Sequence, residues 1–327
     1  MRIAMLATCL TATISAACSA QSSDPSAKPT TPRADHHQHL FSPVIAALLS
    51  TDSNKFQPLT ARDIMPLLDS AGIRRAVVLS IAYMYGSPAR SVEDEYAKVR
   101  AENDWTASQV TQYPKRLVVF CGFNPLKDYA LKELARCSKD PSLRRIKLHF
   151  GNSDVRLENP AHITQLRRIF KAANDHRMPI AVHLRASISK KRPYGPLQAR
   201  AFLEQVLPVA PDIPIQVAHL AGTGPGYEDP PADSVMAVLA DAVEKNDPRT
   251  RRLFFDVTSV VDRNISVANA ALVAKRIRQV GVERVLFGTD AAIGDNLPRE
   301  SWAAFRRLPL TDAEFRKIAG NEAPYLR

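Results

Sequence analysis

The sequence predicts a single-domain (β/α)8 barrel, of the TIM-barrel type, from three observations. Short apolar runs recur at 34–40, 75–81, 117–123, 145–149, 180–184, 213–220, 253–257 and 284–288, eight in all. Most are compact rather than strictly alternating, as expected of parallel strands covered by helices. Stretches of helical periodicity separate them, and no glycine-rich dinucleotide loop follows the first run, so a closed barrel is favoured over an open doubly wound sheet.

The helical stretches carry their own start and stop signals. Thr60 caps one that presents Ile64, Leu67, Leu68 and Ala71 and stops at Gly72. Ser91 and Asp94 open a long one ending before Pro114. Asn159 and Pro160 form an N-cap and first-turn pair ahead of the stripe Ile163, Leu166, Ile169, Phe170 and Ala173. Further helical patterns cover 197–207, 234–244 and 267–280, and Thr311 with Glu314 makes a capping box before Phe315 and Ile318.

Composition is compatible with this architecture. The 327 residues are 45% hydrophobic, enough for a sizeable core, and barrels of this length are usually one domain. An excess of 44 Lys and Arg over 33 Asp and Glu makes the chain basic, a balance that suits nucleic acid, an anionic membrane surface or an acidic substrate. The basic residues Arg167, Arg168, Lys171, Lys275, Arg276 and Arg278 fall in helical patterns, where solvated helix faces account for them. No nucleic-acid-binding motif accompanies them, so nucleic acid is not expected as a partner.

The N-terminus reads as an address. Met1 and Arg2 precede an apolar and small-residue run over 3–17, too short to span a bilayer, which predicts a secretory signal over 1–20 with cleavage after Ala20. The alternative is a lipoprotein signal that anchors Cys18. Residues 21–32 then form a flexible Ser/Pro/Thr-rich linker and 33–327 the barrel domain. The mature chain is expected in the periplasm or secreted, or membrane-anchored through Cys18, with no transmembrane segment. Outside the signal only Cys121 and Cys137 remain. A strand position and the end of the next helix are expected to lie too far apart for a disulfide, so two buried free thiols are expected.

Functional residues of such a barrel stand at the carboxyl ends of its strands. There the sequence places His37 and His39 after run one, Lys147 and His149 on run four, His183 on run five, His219 on run six and Asp290 just past run eight. Two histidines one residue apart on a strand share a face and can grip one metal ion. Any single buried histidine is ordinarily satisfied by a backbone carbonyl. Several converging with a carboxylate are costly to bury without a partner, and a metal ion removes that cost.

The set Asp35-His36-His37-Gln38-His39, Ile146-Lys147-Leu148-His149, Val182-His183, Ala218-His219 and Gly288-Thr289-Asp290 resembles the amidohydrolase superfamily. The closing stretch 311–321 resembles its amidohydrolase-related (amidohydrolase 2) branch, which contains metal-dependent hydrolases, lactonases and nonoxidative decarboxylases. The resemblance runs from Asp35 to the C-terminus. It implies His37, His39 and His183 as ligands of a divalent metal, Zn2+ foremost, and Asp290 as both ligand and proton acceptor. It leaves His219 two roles, polarising the scissile group or binding a second ion. Lys147 stands where some members carbamylate a lysine to bridge two metals, so one or two ions remain open.

The function this implies is hydrolysis of an ester, lactone or amide bond in a small, carboxylated substrate, with nonoxidative decarboxylation as the alternative. A non-catalytic binding protein is a third reading, weakened because a binder has no need of His219 and Asp290 beside an open metal position. Arg185 is expected to hold a substrate carboxylate, with a salt bridge to a neighbouring loop as its alternative. Lys190, Lys191 and Arg192 either add positive potential or lie in solvent. The loop 221–226 offers backbone amides or is only a tight connection, and 41–58 is long enough for a lid. Asp35, His36 and Asp256 are expected to be structural, with His36 alternatively orienting a metal-binding histidine from behind. The expected partner is a small anionic molecule, and the sequence leaves homo-oligomerisation open.

Overall fold

Parallel strands pair in the order of the sequence, and the last returns to the first. A computed structural model of the chain describes residues 30–292 and 296–326. The expected signal and Cys18 lie outside the described residues, as does most of the linker. The elements are β1 (Ala34–Gln38), α1 (Pro43–Leu49), α2 (Ala61–Ser70), β2 (Arg75–Leu79), α3 (Glu95–Val110), β3 (Leu117–Gly122), α4 (Ala130–Lys139), β4 (Ile146–His149) and α5 (Pro160–Asp175). They continue with β5 (Ile180–His183), α6 (Pro196–Ala201), β6 (Ile215–Val217), α7 (Pro230–Glu244), β7 (Leu253–Asp256), α8 (Val267–Val280), β8 (Val285–Leu286), α9 (Pro298–Phe305) and α10 (Asp312–Gly320). The eight strands form one sheet in order β1 to β8. His36 N–H donates to Phe287 O at 2.8 Å and Asp290 N–H to His37 O at 2.6 Å, which joins β8 to β1 and closes the barrel.

The seam is held by Asp35. Its carboxylate accepts from the backbone N–H groups of His37 at 3.0 Å and Thr289 at 3.2 Å, and from the side chains of Gln38 and Thr289. Burial pushes its carboxyl up to about 7 against the pull of these donors. Gly288 is required at the same seam, because a Cβ there would meet Thr258 Oγ1 and lie 2.8 Å from the His37 Cβ.

The opposite end of the barrel is plugged by the chain's last turn. Ala323, Tyr325 and Leu326 pack against Ala34, Val77, Leu79, Phe120, Ala181 and Leu286. His36 serves this plug: its Nδ1–H donates to Phe287 O at 3.0 Å and its Nε2 accepts from Ala323 N–H at 3.2 Å. It is structural, as expected, although a register shift in β1 between Asp35 and Gln38 means that simple alternation does not place the neighbouring rings.

Caps follow the sequence signals at Thr60, Asn159 and Thr311, and Ser266 caps α8. Three features differ from expectation. α1 forms within the stretch read as a lid, because Ser42 caps it, Pro43 opens it and Ile45 and Ala46 are buried beneath it. α7 begins at Pro230, since Asp229 rather than a later residue caps it. Cys121 and Cys137 are joined by a disulfide, with Cα atoms 6.5 Å apart, so the expectation of two free thiols is corrected. The reason is packing: α4 folds back over the end of β3, and its last turn brings Cys137 within bridging distance.

Helix charges are largely internal. Lys171 pairs with Asp175, Arg276 with Asp233 and Arg278 with Glu314. Among the described residues, no helix is long and apolar enough to cross a membrane.

Candidate active site

At the carboxyl end of the barrel, His37, His39, Lys147, His149, His183, His219 and Asp290 line one cavity of about 200 Å3. Phe41, Leu49, Ile81, Tyr83, Met84 and Thr223 complete its wall. Thr223 comes from the 221–226 loop and Leu49 from α1. Candidate residues from β1, β4, β5, β6 and the β8 end therefore converge, as the strand-end argument requires.

His37, His39 and Asp290 form one close group, with ligand atoms within 4.8 Å of one another. Hydrogen bonds fix the ring tautomers. His37 Nδ1–H donates to Asp256 Oδ2 at 3.0 Å, and His39 Nδ1–H donates to Leu79 O at 2.6 Å. Each ring, when neutral, then carries a lone pair on Nε2. Those two Nε2 atoms face each other at 3.3 Å, and His39 Nε2 lies 3.5 Å from Asp290 Oδ1. Two lone pairs and a carboxylate at this separation repel unless a cation or a proton lies among them, and this donor set suits a divalent metal.

Electrostatics agree. Burial lowers His37 to about 4 and His39 to about 3, so both rings are neutral near pH 7. Burial would raise Asp290, but the adjacent His39, His37, His219 and Lys147 hold it down at about 2. Neutral imidazoles beside an ionised carboxylate are the forms that bind a metal.

His219 also belongs here. Its Nδ1–H donates to Thr258 O at 2.8 Å, which leaves Nε2 as a lone pair, and its ring centroid is 4.7 Å from that of His37. Ligand atoms of His37, His219 and Asp256 form a second close group. His219 and Asp290 both turn off their strand ends in left-handed backbone, with φ of 53° and 71°, a conformation non-glycine residues adopt at a cost. His183 stands further round the wall, its ring stacked on His149 at 3.8 Å and 5.1 Å from His219. Lys147 is buried between them, and desolvation lowers its ammonium to about 8.

Sequence reasoning did not name Tyr83, and it gave Asp256 and His149 no role in the site. Asp256 was expected to be structural only, yet it holds His37 and also accepts from the His219 backbone N–H at 2.9 Å and Gln216 Nε2 at 2.6 Å. Burial alone would raise its carboxyl, but His37 and His219 keep it well below the usual range. Its position at the end of β7 is the signal that could have found it. His149 differs from the other rings: its Nδ1 accepts from Asn152 N–H at 3.2 Å, so the neutral ring carries its proton on Nε2. Tyr83, with its ring 5.0 Å from His149, follows β2 in a stretch with no polar signal.

Arg185 lies apart from this cavity. Its guanidinium donates to both carboxylate oxygens of Asp229 at 2.7 and 3.1 Å and lies 4.7 Å from the centre of the Tyr194 ring. This is the salt bridge given above as the alternative to substrate binding. Lys190 and Arg192 likewise pair with Asp154.

The chain matches the profile of the amidohydrolase family (Amidohydro_2) over residues 34–323. No curated protein sequence matches it. Among solved structures it is similar to a probable 2-pyrone-4,6-dicarboxylic acid hydrolase from Acinetobacter baumannii with citric acid bound, at 16% identity and TM-score 0.55, covering 87% of this chain and 95% of that one. A 5-carboxyvanillate decarboxylase from Novosphingobium aromaticivorans, complexed with manganese and 4-hydroxy-3-methoxy-5-nitrobenzoic acid, matches at 12% identity and TM-score 0.59, covering 90% and 96%. An amidohydrolase from Burkholderia multivorans with bound zinc matches at 13% identity and TM-score 0.57, covering 88% and 96%. With its barrel seam, its histidine-lined mouth and a profile match over nearly the whole described chain, the protein belongs to the amidohydrolase family of metal-dependent enzymes.

Proposed function

We propose that the protein is a metal-dependent hydrolase of a small anionic ester, lactone or amide. The observation that carries this reading is the convergence of the bare Nε2 atoms of His37 and His39 on the ionised Asp290, at the mouth of a cavity that also holds Lys147, His149, His183 and His219. His37, His39 and Asp290 would hold a divalent ion, with His183 and His219 completing the set and Lys147 reaching a second ion if there is one; zinc suits these nitrogen and oxygen donors best. Such an ion supplies Lewis acidity and lowers the pKa of water.

The chain's own groups do the rest. Asp290 Oδ1 is occupied by the Ala291 N–H at 3.0 Å, which leaves Oδ2 to take the proton from the attacking water. His219, with its Nε2 bare in the neutral form, accepts a proton or a cation rather than donating to the scissile group. His149 Nε2–H is the donor suited to a substrate oxygen, and Lys147 adds positive charge to that wall. These groups take over the role given to Arg185, whose charge is engaged by Asp229. The apolar wall of Phe41, Leu49, Ile81 and Met84 limits water around the bound molecule.

Decarboxylation is the second reading, because the decarboxylase named above shares the fold and holds manganese. Export from the cytoplasm is part of the proposal, supported by the Cys121–Cys137 disulfide, which belongs in an oxidising compartment. Divalent metal content, followed by product analysis over a panel of lactones and aromatic acids, tests the whole reading. Bound metal and new carboxylate without carbon dioxide are expected. Carbon dioxide release alone selects the decarboxylase, and absence of divalent metal under replete conditions defeats both.

A further inference from the structure

Six arginines stand at the end of the barrel opposite the active site, and among the described residues five of them, all but Arg116, have no carboxylate partner within 4.0 Å. Arg33, Arg74, Arg116, Arg145, Arg252 and Arg284 each stand directly before a strand, β1, β2, β3, β4, β7 and β8 respectively. All strands are parallel, so these residues ring the amino-terminal end of the barrel. Neighbours in the ring are close: Arg74 N–H donates to Arg33 O at 3.0 Å, and Ala76 N–H to Arg116 O at 2.8 Å. Paired strands lie about 4.8 Å apart, within one Debye length of about 8 Å at physiological salt, so the charges reinforce one another. Lys115, Arg144, Arg177 and Arg251 add an exposed second row beside them.

Cations outnumber carboxylates on this face: Asp69 is taken by Arg116 and Asp247 by Arg249, and Asp140, Asp212 and Glu283 are carboxylates here with no ion-pair partner among the described residues. Arg145 donates to Tyr325 O, and Arg284 donates to Thr250 O and Leu253 O, bonds that hold the guanidinium groups without cancelling their charge. Arg33, Arg74, Arg144 and Arg252 are exposed, and among the described residues none of them makes an ion pair within 4.0 Å.

We propose that this basic ring docks the barrel on an anionic phospholipid bilayer, with the active-site mouth turned away from it. Three observations favour lipid headgroups over nucleic acid. The ring encircles a closed barrel end plugged by Tyr325 and Leu326, not a groove that tracks a strand. The Cys121–Cys137 disulfide fits an oxidising compartment, where nucleic acid is not the usual partner. The described chain enters β1 through Thr30 to Arg33 on this same face, so a leader or lipid anchor attached upstream would pull the basic ring toward the membrane that holds it.

The test is sedimentation of the full chain with vesicles of phosphatidylcholine alone and with about 30% phosphatidylglycerol, at about 50 mM and about 500 mM salt. Binding to the anionic vesicles should exceed binding to the neutral ones by about tenfold or more at low salt and vanish at high salt. Insertion of an apolar N-terminal segment would occur with both vesicle types and so would not mimic this difference. The triple variant Arg74→Glu, Arg144→Glu, Arg252→Glu should bind the anionic vesicles no better than the neutral ones. Circular dichroism checks its fold, and the milder Arg74→Gln, Arg144→Gln, Arg252→Gln set replaces it if it does not fold. Equal binding to both vesicles, undiminished binding of a folded variant, or tighter binding to duplex DNA than to anionic vesicles at the same salt would each overturn the proposal.

Discussion

The carboxylate of Asp256 holds His37 from behind: Oδ2 takes the Nδ1 proton at 3.0 Å, and the ring's other nitrogen is thereby turned, bare, toward His39 and Asp290. One strand-seven residue therefore sets the tautomer of a strand-one ligand. Asp256→Asn should weaken divalent metal binding by about 10- to 100-fold, since the amide can donate to the ring and reverse its tautomer. Competitive metal titration against a chelating dye measures this. An unchanged affinity would mean that the ring orients without Asp256.

Asp290 is expected to act as the proton acceptor. Asp290→Asn keeps the volume and removes the basic oxygen, so turnover should fall by about 10²- to 10⁴-fold with little change in thermal midpoint. Steady-state rates alongside calorimetry check both halves, and retained turnover would remove Asp290 from the chemistry.

Arg185 and Asp229 form a mostly buried bidentate pair. Removing one partner leaves the other charge uncompensated, so Arg185→Gln should cost about 3 kcal/mol of stability. The double variant Arg185→Met, Asp229→Leu should recover much of that loss. A raised KM at unchanged denaturant midpoint would instead return Arg185 to substrate binding.

Glu102 gives a pH signature remote from the metal-binding residues. It is buried, its Oε2 accepts from Ser42 Oγ at 2.6 Å, its Oε1 has no hydrogen-bond partner among the described residues, and burial raises its carboxyl to about 7 from 4.5. Between those values Glu102 holds a proton in the folded chain that it has lost in the unfolded chain, so its contribution to stability falls as pH rises from 4.5 toward 7. The full effect is about 3 kcal/mol. The buried neutral histidines contribute stability that rises over the same range, so the Glu102 effect is read as a difference: the urea midpoint of the parent should fall relative to that of Glu102→Gln as pH rises from 4.5 toward 7. Parallel profiles would place the titration elsewhere.

The barrel was legible because each parallel strand leaves a compact apolar run, and the predicted runs bracket the observed strands to within a few residues. The convergence of His37, His39, His183, His219 and Asp290 was legible for the same reason, since all parallel strands end on one face. Other features left no local trace. The Cys121–Cys137 bridge depends on how α4 lies over β3, and the left-handed turns at His219 and Asp290 carry no glycine to announce them. The partner of Arg185 is 44 residues away, and the ring tautomers depend on acceptors from other strands.

The sequence by itself determined the barrel, its strand ends and the residues that meet at its mouth, because periodicity and strand direction are local properties that survive in any context. Only the tertiary structure decided which nitrogen of each histidine is bare, which carboxylate serves the metal-binding group and which arginines stay uncompensated. Those outcomes depend on distances of about 3 Å between atoms remote in the chain, and the closing of the barrel brings those atoms together.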